Sequence, residues 1–141
     1  MVQRQEHLIV ASEMRFLDFV RDFVLKFIRQ GSLPADSENR LVLAVDEAVT
    51  NVIEHAYKFQ LHGYIDIQAN LDNDKVSFII TDNGKSFNPQ VIKKPNVMEF
   101  IKSGEKRGLG IFLMRQIMDE VKYTFKNGQN QVHLVKYINN R

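Results

Sequence analysis

Apolar positions along the chain follow two different periods, and the period changes from segment to segment. Residues 7–12, HLIVAS, are a short apolar run that predicts a strand, with Ser12 placed to cap the helix that follows. Phe16, Phe19, Val20, Phe23, Val24 and Phe27 then recur at helical spacing up to Gly31. That stripe reads as core or, in part, as a surface for a partner. After the turn GSLPADSEN, whose Pro34 and Asp36 lie near the start of the next helix, that second helix places Leu41, Ala44, Val45, Ala48, Val49, Val52 and Ala56 on one face. The period then drops to two. Ile65, Ile67, Ala69 and Leu71 alternate with polar residues, the turn DND (72–74) follows, and Val76, Phe78 and Ile80 alternate again, which predicts a hairpin.

Periodicity is lost from Gly84 to Arg107, a stretch holding Pro89 and Pro95, and so long an irregular segment in a small domain reads as a functional loop or lid. LGIFLMRQIMDEV (109–121) predicts a short helix, and VKYTFKNGQNQVHLVKYI closes the chain as a hairpin turned at NGQN. The order of elements predicts an α+β fold, a two-layer sandwich with helices on one face of a mostly antiparallel mixed sheet.

Bulk properties narrow the class without naming a function. The 141 residues suit one domain spanning 1–141, and a net charge of +2 provides no global basic field for nucleic acid. The chain has no cysteine, which excludes disulfides, thiolate metal sites and thiol nucleophiles. No apolar run approaches the length of about 20 residues that spans a bilayer. A cytosolic protein with no direct nucleic-acid or membrane contact is expected; Lys93, Lys94, Lys102 and Lys106 are the only concentrated basic feature.

Three local patterns carry chemistry. In VLAVDEAVTNVIEHAYK (42–58), Glu47, Asn51 and His55 fall at i, i+4 and i+8, a polar column on an otherwise apolar helix. Taken alone, such a column reads first as a solvated helix edge. In IITDNGKSF (79–87), Asp82 ends an alternating strand and is followed by Asn83 and Gly84. A carboxylate there suits an adenine amino group, and a glycine lets a planar ring approach, but the triplet is also an ordinary turn. In KRGLGIFLM (106–114), Gly108 and Gly110 open a helix whose first amides are unpaired and suit phosphate oxygens. A lone G-x-G is weak evidence.

In this order and spacing the three resemble the N, G1 and G2 boxes of the Bergerat ATP-binding fold, shared by DNA gyrase, the MutL proteins, histidine kinases and a heat-shock chaperone. From residue 6 to about residue 138 the chain resembles the bacterial anti-sigma factor serine/threonine kinases. The resemblance implies that Asn51 ligates the magnesium on ATP and that Glu47 is the general base for a serine hydroxyl. It implies that Asp82 holds adenine, that Gly84 shapes its pocket, and that Gly108, Leu109 and Gly110 wrap the phosphates. Lys106 and Arg107 become charge partners in a lid over about 85–107. His55 is left between a supporting role and a phosphate contact. One departure stands out: Ser86 occupies a place where the G1 box often has a second glycine.

The implied function is an ATP-dependent kinase acting as an anti-sigma factor in a partner-switching system. It would phosphorylate a small anti-sigma-factor antagonist on serine or threonine and sequester a sigma factor or another regulator. A homodimer is implied, with HLIVAS and the aromatic helix as its surface. The alternative is an ATP-gated protein-binding module with little or no kinase activity.

Overall fold

The computed structural model describes residues 4–31, 33–58, 63–86 and 109–138. In chain order these form β1 (Arg4–Ala11), a 3-10 turn (Met14–Phe16), α1 (Leu17–Ile28) and α2 (Ala35–Asn51), which runs on as a π-helical turn (Val52–Ala56). β2 (Tyr64–Leu71), β3 (Lys75–Asp82), α3 (Leu109–Ile117), β4 (Glu120–Lys126) and β5 (Gln129–Tyr137) complete it. The strands make one sheet in the order β1-β2-β3-β5-β4, and every pairing among the described residues is antiparallel.

The period-two pattern sets which face is buried. Ile65, Ile67 and Ala69 of β2, Val76, Phe78 and Ile80 of β3, and Val132 and Leu134 of β5 all point into one core. That core is closed from above by Leu17, Val20, Val24, Phe27 and Ile28 of α1 and by Leu41, Ala44, Val45, Ala48 and Val49 of α2. Phe27 meets Phe78 edge-on, with ring centroids 6.3 Å apart, and so ties the helical layer to the sheet. Arg21 of α1 adds a fork to Asp46 of α2, Nε to Oδ1 at 2.8 Å and Nη2 to Oδ2 at 3.3 Å.

The turns follow from local chemistry. In DND, the Asp72 Oδ1 accepts from the amides of Asp74 and Lys75, at 3.1 and 3.0 Å. In the last hairpin Asn127 and Gly128 both have positive φ, 55° and 76°, as a two-residue turn matched to strand twist requires.

Three expectations need correction. Ser12 does not cap a helix: its hydroxyl is buried without a hydrogen-bond partner among the described residues, and its amide instead donates to the Gly63 carbonyl at 2.9 Å. Phe19 leaves the aromatic core stripe and is 62% exposed, because the buried arc of α1 runs through Val20, Val24, Phe27 and Ile28. The third helix stops at Ile117 instead of running through MDEV. There the Asp119 amide donates to the Val135 carbonyl, and the Asp119 Oδ2 accepts from the Tyr137 amide at 2.7 Å. The sheet edge captures the chain.

Candidate functional site

Strand parity puts a carboxylate in the core. Val76, Phe78, Ile80 and Asp82 lie on the same face of β3, so the alternation that buries three apolar side chains buries Asp82 as well, to 2% exposure. An isolated carboxylate could not stay there. The Gly84 amide donates to its Oδ1 at 2.8 Å, and the Asn130 Nδ2 donates to the same oxygen at 2.8 Å. Burial still raises the Asp82 pKa above the ordinary carboxylate range, against the lowering pull of those two hydrogen bonds. Both bonds end on Oδ1, and no hydrogen bond reaches Oδ2 among the described residues.

Asn130 carries no signal in any of the three sequence motifs. It sits directly opposite Asp82 in the β3–β5 ladder and also donates to the carbonyls of Gly84 and Lys85, at 3.3 and 3.1 Å. A fainter signal does exist. With the hairpin turned at Asn127–Gly128, Asn130 shares its face with Val132 and Leu134, and a lone amide on a core face asks for a partner.

The segment after Asp82 docks on the end of the second helix. A Cβ on Gly84 would lie 2.7 Å from the Ala56 carbonyl oxygen and 2.8 Å from its carbon. Glycine is therefore required here by helix packing, so any shaping of the pocket by Gly84 is indirect. The Lys85 amide donates to that same Ala56 carbonyl at 2.8 Å, satisfying an acceptor that the helix end leaves orphaned.

Along α2, Glu47 is half-buried and Asn51, one turn on, is 8% exposed. Their i, i+4 relation holds because both lie within the α-helix. Beyond Asn51 the chain widens into a π turn at Val52, marked by the Tyr57 amide reaching back to the Val52 carbonyl, and the half-buried His55 lies within that turn. Asp82 and this helix meet at one cavity of about 450 Å³, walled by Ala48, Val52, Asp82, Arg115, Tyr123 and Asn130 among others. Burial pushes the Tyr123 phenol up to about 12 while Arg115 pulls the other way, so the hydroxyl stays neutral. Ser86 also reaches this wall. Leu109 and Gly110 begin α3. Lys106, Arg107, Gly108 and the segment 87–107 lie outside the described residues.

No group of three or more acidic or histidine side chains is gathered for a metal among the described residues, so a cation there would be held chiefly by its ligand's phosphates. Asn51 is a nearly buried amide whose Nδ2 has no hydrogen-bond partner among the described residues; that atom is a donor, and only the side-chain oxygen has the chemistry of a cation ligand.

Residues 10–136 match the family model of the histidine kinase-like ATPase domain. The serine-protein kinase RsbW of Staphylococcus aureus strains MRSA252 and Newman is 36% identical over 120 residues, covering 79% of this chain and 72% of the relative. The crystal structure of the RsbU and RsbW domains of Rv1364c from Mycobacterium tuberculosis superposes with a TM-score of 0.67 at 16% identity. That match covers 94% of this chain and 32% of the other, and it supports the fold. The chain thus belongs to the histidine kinase-like ATPase family, in its branch of anti-sigma factor serine/threonine protein kinases.

Proposed function

We propose that this kinase transfers the γ-phosphate of ATP to a serine or threonine of a small anti-sigma-factor antagonist, and that it sequesters a sigma factor or another regulator in a partner-switching cycle in the cytoplasm. The observation that carries the reading is the convergence of two sequence-distant segments. The buried Asp82 carboxylate shares a single cavity of nucleotide size with Ala48 and Val52 of the helix that bears Glu47 and Asn51, although neither Glu47 nor Asn51 is among the residues that wall it.

Asp82 would accept a hydrogen bond from the adenine amino group on Oδ2, with Asn130 and the Gly84 amide holding the carboxylate in place. A guanine would present an acceptor at that position and be rejected. Asn51 would ligate magnesium through its side-chain oxygen; when bound, the ion neutralises charge on the β- and γ-phosphates. The amides at Gly108, Leu109 and Gly110 would meet the phosphate oxygens at the start of α3, with Lys106 and Arg107 as added positive charge. Glu47 would accept the proton of the incoming hydroxyl as its oxygen bonds to the γ-phosphorus and the bond to ADP breaks. The exposed Ile9 of β1 and Met14 and Phe19 around α1 support the homodimer surface expected there, and light scattering should find a species of twice the 16.4 kDa chain mass.

The test is transfer of label from γ-labelled ATP to candidate antagonist proteins. Label on a serine or threonine of one of them supports the kinase reading. Tight ATP-dependent partner binding with no transfer to any antagonist would instead make the chain an ATP-gated binding module.

A further inference from the structure

Tyr57 follows the π turn, and its side chain joins three segments that are remote in sequence. Its hydroxyl donates to the Tyr64 carbonyl at the start of β2, at 2.8 Å, and accepts from the Asn83 amide at 2.8 Å. Its ring fills the space beside Gly63, where a Cβ would collide with Cε1. The neighbouring Ala56 completes the clamp by taking the Lys85 amide on its carbonyl and the Gly84 backbone against its own. Two consecutive residues at the helix end thus hold Asn83, Gly84 and Lys85, the residues directly after Asp82.

This arrangement solves a problem that the sheet alone leaves open. The β2 and β5 ladders place Asp82 within the sheet, but the polar residues of α2 belong to the other layer. One nucleotide must reach from Asp82 to Asn51, so the spacing between the layers has to match its length. We propose that Tyr57 is a positioning residue for the nucleotide, its hydroxyl fixing the segment after Asp82 against the end of α2. The inference rests on Asp82 being the adenine site. Outside the clamp lies a second cavity of about 490 Å³, bordered by Tyr57, Gly63, Asn83 and Lys85, so the segment has room to drift once the hydroxyl bond is gone. Nucleotide binding would then have to reorder it, which lowers affinity without altering the chemistry after binding.

Tyr57→Phe removes one oxygen and keeps the ring. The dissociation constants of ADP·Mg and ATP·Mg, measured by calorimetry, should both rise by roughly five- to tenfold, as expected for the loss of a hydrogen-bonded anchor. KM for ATP should rise by the same factor while kcat at saturating ATP stays within about twofold of the unmutated protein. Gly63→Ala, which displaces the ring and leaves the hydroxyl on the chain, should give the same pattern. The double variant should lose less than the product of the two single effects, since both act on one contact. Unchanged nucleotide affinity in Tyr57→Phe overturns the proposal, whether or not its melting temperature falls, because a purely structural residue would shift melting alone. A drop in kcat with no change in KM overturns it as well. Failure of the unmutated protein to bind either nucleotide strikes the adenine-site reading itself, and the two failures are thereby distinguished.

Discussion

The Asn130 amide and the Asp82 carboxylate, 48 residues apart in sequence, face each other across the β3–β5 ladder and are joined at 2.8 Å on the core side of the sheet. Replacing Asn130 with alanine leaves the buried carboxylate with the Gly84 amide as its one donor and strips the Gly84 and Lys85 carbonyls of the donor they share. The expected loss is about 1–3 kcal/mol of stability, the cost of unsatisfied buried groups, together with weaker nucleotide binding. Chemical denaturation of the apo protein checks the first, and an unaltered midpoint would contradict it.

Asp82 carries a conflict between stability and binding. Its carboxyl is raised by burial, so the native state holds the proton more tightly than the unfolded chain. The stabilising contribution of such a group is complete below the unfolded-state pKa and is lost as pH rises through the folded value. Asp82→Asn should therefore melt at or above the unmutated protein at pH 7, with the difference closing as pH falls into the carboxylate range. The same change should weaken ATP and ADP alike, by roughly ten- to hundredfold, because a charge-assisted hydrogen bond is lost. A variant that is both destabilised at pH 7 and normal in nucleotide binding would show that the carboxylate serves the fold alone.

Asn51 shows the same tension in a simpler form. Its Nδ2 has no hydrogen-bond partner among the described residues, so Asn51→Ala should change apo stability by less than about 1 kcal/mol. Binding of ATP with magnesium should fall sharply, while binding of ATP in chelator should fall little. Equal losses with and without magnesium would argue against the ligand role.

Glu47 shares the helix with Asn51 yet has different work in this mechanism. Glu47→Gln keeps shape and hydrogen bonding but cannot take a proton. Nucleotide affinity should be nearly unchanged, and single-turnover transfer to the antagonist should slow by roughly a hundred- to ten-thousandfold. Full transfer activity would remove the base assignment.

Gly84→Ala tests the docking of the G1 segment on the helix. Both atoms that the new Cβ would meet within 2.8 Å in the Ala56 carbonyl group are backbone, so neither can swing aside. A loss of about 1–3 kcal/mol is expected, with reduced nucleotide affinity, and melting curves with and without ADP measure both. No change in either would show that the segment docks loosely.

By itself the sequence determined the elements, their order and the layer each belongs to. Period-two runs such as Val76-x-Phe78-x-Ile80 and helical runs such as Ala44-Val45-x-x-Ala48-Val49 are local records of which face is buried, and burial of apolar surface is the main driving force of folding. It also singled out Glu47, Asn51, Asp82 and Gly84 as candidates, because their spacing within one helix or one strand end is a local property. Tertiary structure decided the rest, and the reason is register. Asn130 meets Asp82 only once β5 inserts between β3 and β4, and Tyr57 meets Asn83 only once the helix layer settles on the sheet. Competition between elements lies equally beyond local pattern. The helical period of LGIFLMRQIMDEV continues past Ile117, yet the chain leaves the helix there because Asp119 gains two hydrogen bonds at the sheet edge. Likewise the column through His55 assumes an α-helix throughout, and only the structure shows the π turn after Asn51 that carries the histidine. A one-dimensional pattern records which way each side chain faces; only packing of the two layers settles which polar groups find each other once buried.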